Sequence, residues 1–384
     1  MVRACQPGLE CNNEKTVYVV FPMKKLLFIR YKKSGRILEG GEQVSQKNFD
    51  ILARLLGESN IDTVYIHDET RRRGIAEYLK GAFWFPFGYY FGLTPKRVRE
   101  IALKAEEYDY VFVGRSVFGI LAKKLKANGY KGRIISFFHN VEVLYFNAKL
   151  EHKPWRFVIS RCADKNDRWT CQYSDRIVAL NSRDAEIINK MYGRMADAMV
   201  PVTFRDCYQK AEYPQQNTSA KPVCLFLGSY FEPNCEGIEW FSKNVYPHVS
   251  INMKIVGKGM GRIRDNYYVP ENVEIVGDAP DLLPYFEEAD IMVLPIFKGS
   301  GMKVKTCESL MYGKNIIGTD EAFEGYALDY GKAGGKCNTA QEFISAIQSF
   351  INNPRPQFNQ YCRNVFLEKY SEDSVVEAFR GLLG

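Results

Sequence analysis

Short apolar runs alternate with amphipathic stretches along almost the whole chain. In the first half the runs fall at 25–31 (KLLFIRY), 63–67 (TVYIH), 110–114 (YVFVG), 133–139 (RIISFFH) and 176–181 (RIVALN). Helical stretches such as Val44–Glu58 and Pro95–Tyr108 separate them, and Thr94-Pro95 is a good helix start. In the second half they fall at 223–228 (VCLFLG), 253–257 (MKIVG), 273–277 (VEIVG), 291–295 (IMVLP) and 315–318 (NIIG). Strands that are apolar on both sides and alternate with helices predict parallel sheets covered on both faces. The pattern fails between about 201 and 222, which is polar and holds three prolines, as an interdomain linker would. The expectation is therefore an α/β chain of two doubly wound domains, at 1–203 and 223–365, joined by a linker at 204–222. A last helix within 366–384, capped by Ser371, carries the apolar stripe Val375, Val376, Phe379 and Leu383, and that stripe must pack against something.

Composition narrows the function classes. A chain of 384 residues, 46% hydrophobic and 25% charged, is long enough for two cores. Its net charge of +7 suits an anionic substrate or a membrane surface. Nucleic acid is disfavoured, because the basic residues are dispersed and no recognition motif accompanies them. The ten cysteines are scattered from Cys5 to Cys362 without a CxxC pair, and the opening residues MVRACQPGLECNNEK have no apolar core. Reduced thiols and a cytoplasmic location are expected, with Asn217-Thr218-Ser219 serving only as linker. No apolar run reaches the roughly 18 residues of a membrane span. The aromatic stretch Ala82 to Leu93, flanked by Lys80 and by Lys96-Arg97, could dip into a bilayer interface or line an acceptor groove. A loop packed on its own domain is the simpler expectation for it, and Arg71-Arg72-Arg73 nearby changes this little.

The candidate chemistry concentrates in residues 290–319, DIMVLPIFKGSGMKVKTCESLMYGKNIIGT: a strand, a turn at Gly299-Ser300-Gly301, a helix and a second strand. Backbone N–H groups of such a turn can approach an anion, supported by the positive end of the helix. Lys305 and Glu308, three apart, share one helix face and offer a cation for a diphosphate and a carboxylate for a ribose diol. Ligands of open parallel sheets bind outside the carboxyl ends of the strands. Gly228, Gly257, Gly277, Gly299 and Gly301 all fall at such ends, with Lys258 beside them, and together they outline a sugar-nucleotide cleft. Other chemistries find no motif: there is no HExxH, no Cys and His cluster with zinc spacing and no G-x-S-x-G. SGRILEGGEQ stands where a dinucleotide fingerprint would be, so neither a metal nor a nicotinamide cofactor is expected.

Four segments, LGSYFEPNCEGIEWF (227–241), IVGKGM (255–260), VEIVGDAPDLLPYFEEADIMVLPI (273–296) and GSGMKVKTCESLMYGKNIIGT (299–319), resemble the donor-binding half of GT-B glycosyltransferases. The resemblance is to the retaining, metal-independent enzymes called glycosyl transferases group 1, or family four. EGGEQVSQKNFDIL (39–52), YDYVFVG (108–114), FFHNVEVLYF (137–146) and SDRIVALNSRDAEII (174–188) extend it into the first half. It implies two Rossmann-like domains facing a central cleft, the first binding acceptor and the second the nucleotide sugar, with the last helix crossing back to the first domain. Glu308 then matches the ribose-binding glutamate, and Lys303 and Lys305 would face the diphosphate. Gly301 and Met302 would offer backbone N–H groups, and Gly40-Gly41 would close on them from the first domain. His139 resembles the histidine that approaches the donor sugar, where imidazole can donate a hydrogen bond to a hydroxyl or change protonation near neutral pH; Asn140 and Glu142 are weaker choices. Ser300 stands where the family's first glutamate is usual, and Ser229 and Asn234 stand where many members carry Arg and Lys.

These readings imply an enzyme that moves a hexose or related sugar from a nucleoside diphosphate donor, expected to be a UDP-sugar, to an acceptor hydroxyl. The acceptor would be a glycan or a polyprenyl-linked sugar in bacterial polysaccharide or glycoconjugate synthesis, with peripheral contact at the inner face of the membrane. A non-catalytic glycosyltransferase-fold subunit, motivated by Ser300, and a sugar-nucleotide epimerase or hydrolase are the alternatives.

Overall fold

A computed structural model describes residues 24–33, 40–68, 83–208, 221–299 and 301–384. The first domain holds β1 (Leu26–Lys33), β2 (Ile61–Asp68), β3 (Tyr110–Val113), β4 (Arg133–Phe138), β5 (Arg176–Ala179) and β6 (Ala198–Met199), in the order β2-β1-β3-β4-β5-β6. Its helices are α1 (Gly40–Leu56), α2 (Pro95–Ala105), α3 (Gly119–Ala127), α4 (Glu142–Lys149), α5 (Arg156–Tyr173) and α6 (Ser182–Tyr192). The second domain holds β7 (Val223–Leu227), β8 (Asn252–Gly257), β9 (Glu274–Gly277), β10 (Ile291–Leu294), β11 (Asn315–Gly318) and β12 (Gly334–Lys336), in the order β12-β11-β10-β7-β8-β9. Between and after these strands lie α7 (Glu232–Asn244), α8 (Leu283–Glu288), α9 (Val304–Met311), α10 (Tyr330–Ala333), α11 (Ala340–Asn352), α12 (Gln360–Val365) and α13 (Glu372–Leu383).

All strand pairs are parallel. The expected apolar runs are the strands, within a few residues, while β6 and β12 are edge strands too short and too weakly apolar to announce themselves. Alternate β1 residues serve two cores: Leu26 and Phe28 face one, Leu27 and Ile29 the other. This double burial is why the runs are apolar throughout rather than alternating. Thr94 caps α2 by accepting a hydrogen bond from Arg97 N, and Ser371 caps α13 by accepting one from Ser374 N.

The last helix does cross back. Val375, Val376, Phe379 and Leu383 are buried, with Phe379 stacked near Phe112 of β3. Tyr110 Oη donates to Leu383 O at 2.7 Å, and Arg133 donates to Leu382 O and Gly384 O, each at 2.9 Å. Phe204, at the start of the linker, is hooked to the same segment: Phe204 N donates to Tyr370 O and Glu372 N donates to Phe204 O. The remaining linker residues 209–220 lie outside the described ones, as do Lys80, Ala82 and the arginines 71–73.

The aromatic stretch is a loop packed on its own domain, held by Lys165 Nζ donating to Pro86 O and Asn166 Nδ2 donating to Gly88 O. Phe85, Tyr90 and Leu93 are buried, whereas Phe83 and Phe87 point outward. The eight described cysteines are free, seven of them buried. No helix among the described residues is long and apolar enough to cross a membrane.

Both sheets reverse their winding at a switch point, between β1 and β3 in one and between β7 and β10 in the other. The carboxyl ends at these points are where crevices open in doubly wound sheets. Gly114 and His139 follow β3 and β4, and Gly228 follows β7.

Candidate active site

The floor of the second-domain crevice is backbone. A Cβ placed on Gly257 would stand 2.1 Å from Gly228 O, so only glycine lets the ends of β7 and β8 approach this closely. Lys305, in the first turn of α9, sends its ammonium over the Phe226 ring, 4.4 Å from the centroid, and donates to Asn234 Oδ1 at 2.8 Å. Asn234 Nδ2 in turn donates to Ser229 O at 2.8 Å. A Cβ at Gly228 would come within 2.9 Å of Lys305 Nζ, so this glycine keeps room for the ammonium.

Lys305 and Glu308 share the helix face expected of them, and the crevice strains both charges. Burial lowers the Lys305 pKa to about 7 against the opposing pull of Glu308. Burial raises that of Glu308 to about 7 against Lys305 and against Lys47 of α1, which reaches it from the first domain. A bound diphosphate would restore the ammonium, and a ribose diol would prefer the ionised carboxylate. A nucleoside diphosphate bound here would therefore require proton uptake on Lys305 above pH 7 and proton release from Glu308 below it. Donor affinity is expected to peak near pH 7 and to fall by up to about tenfold per pH unit on either side. Titration calorimetry in two buffers of different ionisation enthalpy at pH 8 should register net proton uptake, and proton release there would contradict the assignment of Lys305.

Lys303 departs from expectation. Its Nζ donates to Glu321 Oε1 and to Gly301 O, both at 2.6 Å, and Tyr326 Oη donates to its carbonyl. The lysine holds the glycine turn in shape from behind instead of facing the diphosphate. Gly301 has φ +67°, a left-handed conformation that favours glycine. Met302 is buried behind the turn, Ser300 lies outside the described residues, and the exposed Ser229 and Lys258 sit at the rim, with Lys258 O accepting from Tyr230 N.

The opposite wall comes from the first domain. His139 follows β4, 6% exposed, and an imidazole N–H donates to the backbone of Gly114. Nε2 has no hydrogen-bond partner, so Nδ1 is the donating nitrogen and Nε2 carries the lone pair. Gly41 lies beside it: a Cβ there would be 3.9 Å from Nδ1. Burial first, and then the Arg115 charge, lower the His139 pKa to about 3. One expectation is thereby corrected: the imidazole stays neutral near neutral pH. Glu142 is corrected too. It is fully buried and takes two hydrogen bonds from Arg115 on one oxygen, 2.8 and 3.1 Å, so it is a counterion and not a free base. Asp167 lies behind it, its Oδ2 accepting from Val143 N, and burial together with the Glu142 charge raises its pKa well above the carboxylate range, leaving a neutral acid.

The two walls meet. A Cβ on Gly301 would stand 3.0 Å from Asn140 Oδ1 and 3.5 Å from His139 O, so the Gly301 backbone and the turn after β4 face each other across one cleft. Arg183 of α6 pairs with Glu324 at 2.9 Å and ties the domains beside it. Sequence reasoning missed Arg115, Asp167, Glu321 and the Arg183–Glu324 tie. Arg115 alone had a usable signal, its place directly after a strand end. Among the described residues no group of three or more His, Cys, Asp or Glu is arranged to hold a metal ion.

Residues 221–353 match a family model described as glycosyl transferases group 1. A Klebsiella pneumoniae protein known only as an uncharacterized 44.6 kDa protein in the cps region is 23% identical over 278 residues, covering 67% of this chain and 69% of that one. Among solved structures, sucrose-phosphate synthase from Thermosynechococcus elongatus superposes with a TM-score of 0.68 at 14% identity, over 94% of this chain and 98% of that one. Anabaena HepE in complex with UDP-glucose gives 0.63 at 13% identity, over 94% and 99%. The lipopolysaccharide outer core galactosyltransferase WaaB, in its apo form, gives 0.63 at 15% identity, again over 94% and 99%. These similarities show the GT-B fold of two Rossmann-like domains.

Proposed function

We propose that this chain, whose second domain is a group 1 glycosyltransferase domain, moves a sugar from a UDP-sugar to an acceptor hydroxyl with retention of configuration and without a metal. One observation carries the reading: the Lys305 ammonium and the Glu308 carboxylate, three apart on α9, oppose each other's pKa shifts at the floor of the crevice, beside a turn at Gly301 that meets Asn140 and His139 of the first domain. Lys305 and the start of α9 would hold the diphosphate and stabilise the charge that grows on it as it leaves. Glu308 would take the ribose diol, and Nε2 would accept a hydrogen bond from a sugar hydroxyl.

Retention is supported by the groups that are unavailable. Glu142 is tied to Arg115, and an imidazole with a pKa of about 3 is a weak base. In a front-face displacement the bond from the anomeric carbon to the phosphate oxygen breaks while the acceptor oxygen bonds to the same face. The acceptor proton passes to the departing phosphate, and no protein base is required. The intact Lys305 and Glu308 pair argues against a purely structural subunit. The cps-region relative, the UDP-glucose held by HepE and the lipopolysaccharide enzyme WaaB favour a UDP-sugar and an acceptor in bacterial surface-glycan synthesis, either a glycan or a polyprenyl-linked sugar at the inner face of the membrane.

Incubation with a panel of UDP-sugars in the presence of a chelator, with and without candidate acceptors, should give UDP release only when acceptor is present. Epimerised donor, or release that ignores the acceptor, would favour the epimerase or hydrolase alternative. Tight donor binding with no turnover for any acceptor would favour the non-catalytic one.

A further inference from the structure

One face of the first domain carries aromatic rings and cations in alternation. On α5, Phe157, Arg161 and Lys165 recur every fourth residue, and Arg168 follows on the same side. All four are exposed, while Ile159, Cys162, Ala163, Asn166 and Thr170 on the other side are buried. The Arg161 guanidinium sits 4.0 Å from the Phe157 ring centroid. Lys165, through its bond to Pro86 O, draws the aromatic loop alongside, where Phe83 and Phe87 stand 65% and 57% exposed. An open groove of about 420 Å³, lined by Trp84, Phe87, Tyr89, Lys123 and Trp169, runs between loop and helix. The turn before α5 adds Trp155, also exposed.

The charge on this face is predominantly positive. On the outward side of α5 the cations are Arg156, Arg161, Lys165 and Arg168. Of the carboxylates nearby, Asp164 already accepts from Tyr192 Oη at 3.1 Å and lies 3.8 Å from Arg168, and Glu151 precedes the helix, its carbonyl accepting from Arg156. Phe83, Trp84 and Phe87 lean on one another as a small aromatic cluster bordered by cations, not the wide, charge-poor patch that a protein partner buries. They suit a medium with an apolar interior beneath a layer of negative charge, where ring tips leave water and long cationic stems lie along the boundary. We propose that this face seats the protein on an anionic lipid bilayer, with Phe83, Phe87, Trp155 and Phe157 at the headgroup boundary and Arg161, Lys165 and Arg168 on lipid phosphates. The inference deepens the reading of a membrane-held acceptor, and its test uses neither donor nor acceptor, so the two can fail separately.

The test is co-sedimentation of the full chain with vesicles of phosphatidylcholine containing about one-third phosphatidylglycerol, against vesicles of phosphatidylcholine alone. Binding is expected to the anionic vesicles, and to weaken about fivefold per charge removed in Arg161→Gln/Arg168→Gln. Phe83→Ser/Phe157→Ser is expected to weaken it at least tenfold, at about 0.8 kcal/mol per CH₂ withdrawn from the boundary. The circular dichroism spectrum and melting temperature should be unchanged in both variants, which shows that they are folded. Equal binding to both vesicle types, or wild-type binding by either folded variant, overturns the proposal. Binding that salt abolishes but the Phe→Ser pair leaves intact points to an acidic macromolecule, and a dimer in sedimentation that Phe157→Ser dissolves points to a second copy of the chain; each overturns the lipid assignment.

Discussion

Replacing Lys305 by alanine is expected to lower kcat/KM by about 100- to 1000-fold while leaving the melting temperature nearly unchanged. The ammonium is a poor stabiliser of the fold, because burial has already lowered its pKa to about 7. Its value lies in the charge that a departing diphosphate develops in a cleft largely closed to water, where one cation counts for more than it would in solvent. Loss of the amine also leaves Glu308 without its counterion, and that carboxyl, already raised to about 7, can stay protonated at little cost. Steady-state kinetics beside a thermal melt separates these effects. Unaltered kinetics would remove Lys305 from the site, and a collapsed melting curve would make it structural. Glu308→Gln keeps a hydrogen-bonding group but loses the charge, so it should raise the donor KM about tenfold, as expected for a charge-assisted bond to a diol. Lys303→Ala should act differently. By freeing the Gly301 turn from Glu321 it should weaken donor binding, and because the Lys303 charge helps to lower the Lys305 pKa, its loss should move the pH of tightest binding upward.

The largest stability effect is expected at Arg115. Removing the guanidinium in Arg115→Ala leaves the fully buried Glu142 carboxylate without its counterion and next to the buried acid Asp167. Breaking such a pair typically costs 3–5 kcal/mol, and because the arginine side chain is still 20% exposed the lower end, about 3 kcal/mol, applies. For a domain of this size that corresponds to a fall in melting temperature of roughly 6–12 °C. Arg115→Ala combined with Glu142→Gln should recover much of the loss, since the stranded charge goes with its partner. A double variant as unstable as the single one, or an unshifted melt for Arg115→Ala, would show that the pair matters little. Histidine NMR adds a readout that a merely structural role would not move: without the Arg115 charge the His139 pKa should rise, yet stay below its ordinary value because burial remains.

Much of this architecture was legible in the chain itself. A parallel strand covered on both faces needs apolar residues at consecutive positions, and ten such runs mark ten of the twelve strands among the described residues. The missing two, Ala198–Met199 and Gly334–Lys336, lie at sheet edges where nothing requires an apolar run. Lys305 and Glu308 could be placed together because three residues of helix bring side chains to one side. Lys303 stands just before that helix in extended backbone, where helix spacing does not say which way its side chain points. Glu321, which claims Lys303, lies 18 residues further on in a loop, and no spacing rule points to it.

The sequence alone thus determined the two doubly wound folds, the end of each sheet at which crevices open, and the helix face that carries Lys305 and Glu308. All three follow from backbone periodicity and from residues close together in the chain. The tertiary structure alone decided the charge states and the orientation of the chemistry. His139 is neutral because it is buried and Arg115 sits beside it, Glu142 is a counterion because Arg115 reaches it from another strand end, and the Lys305 pKa falls to about 7 because burial outweighs the pull of Glu308. Protonation and hydrogen-bond direction depend on which groups lie within a few ångströms and on how much water remains, and folding brings those groups together from distant parts of the chain.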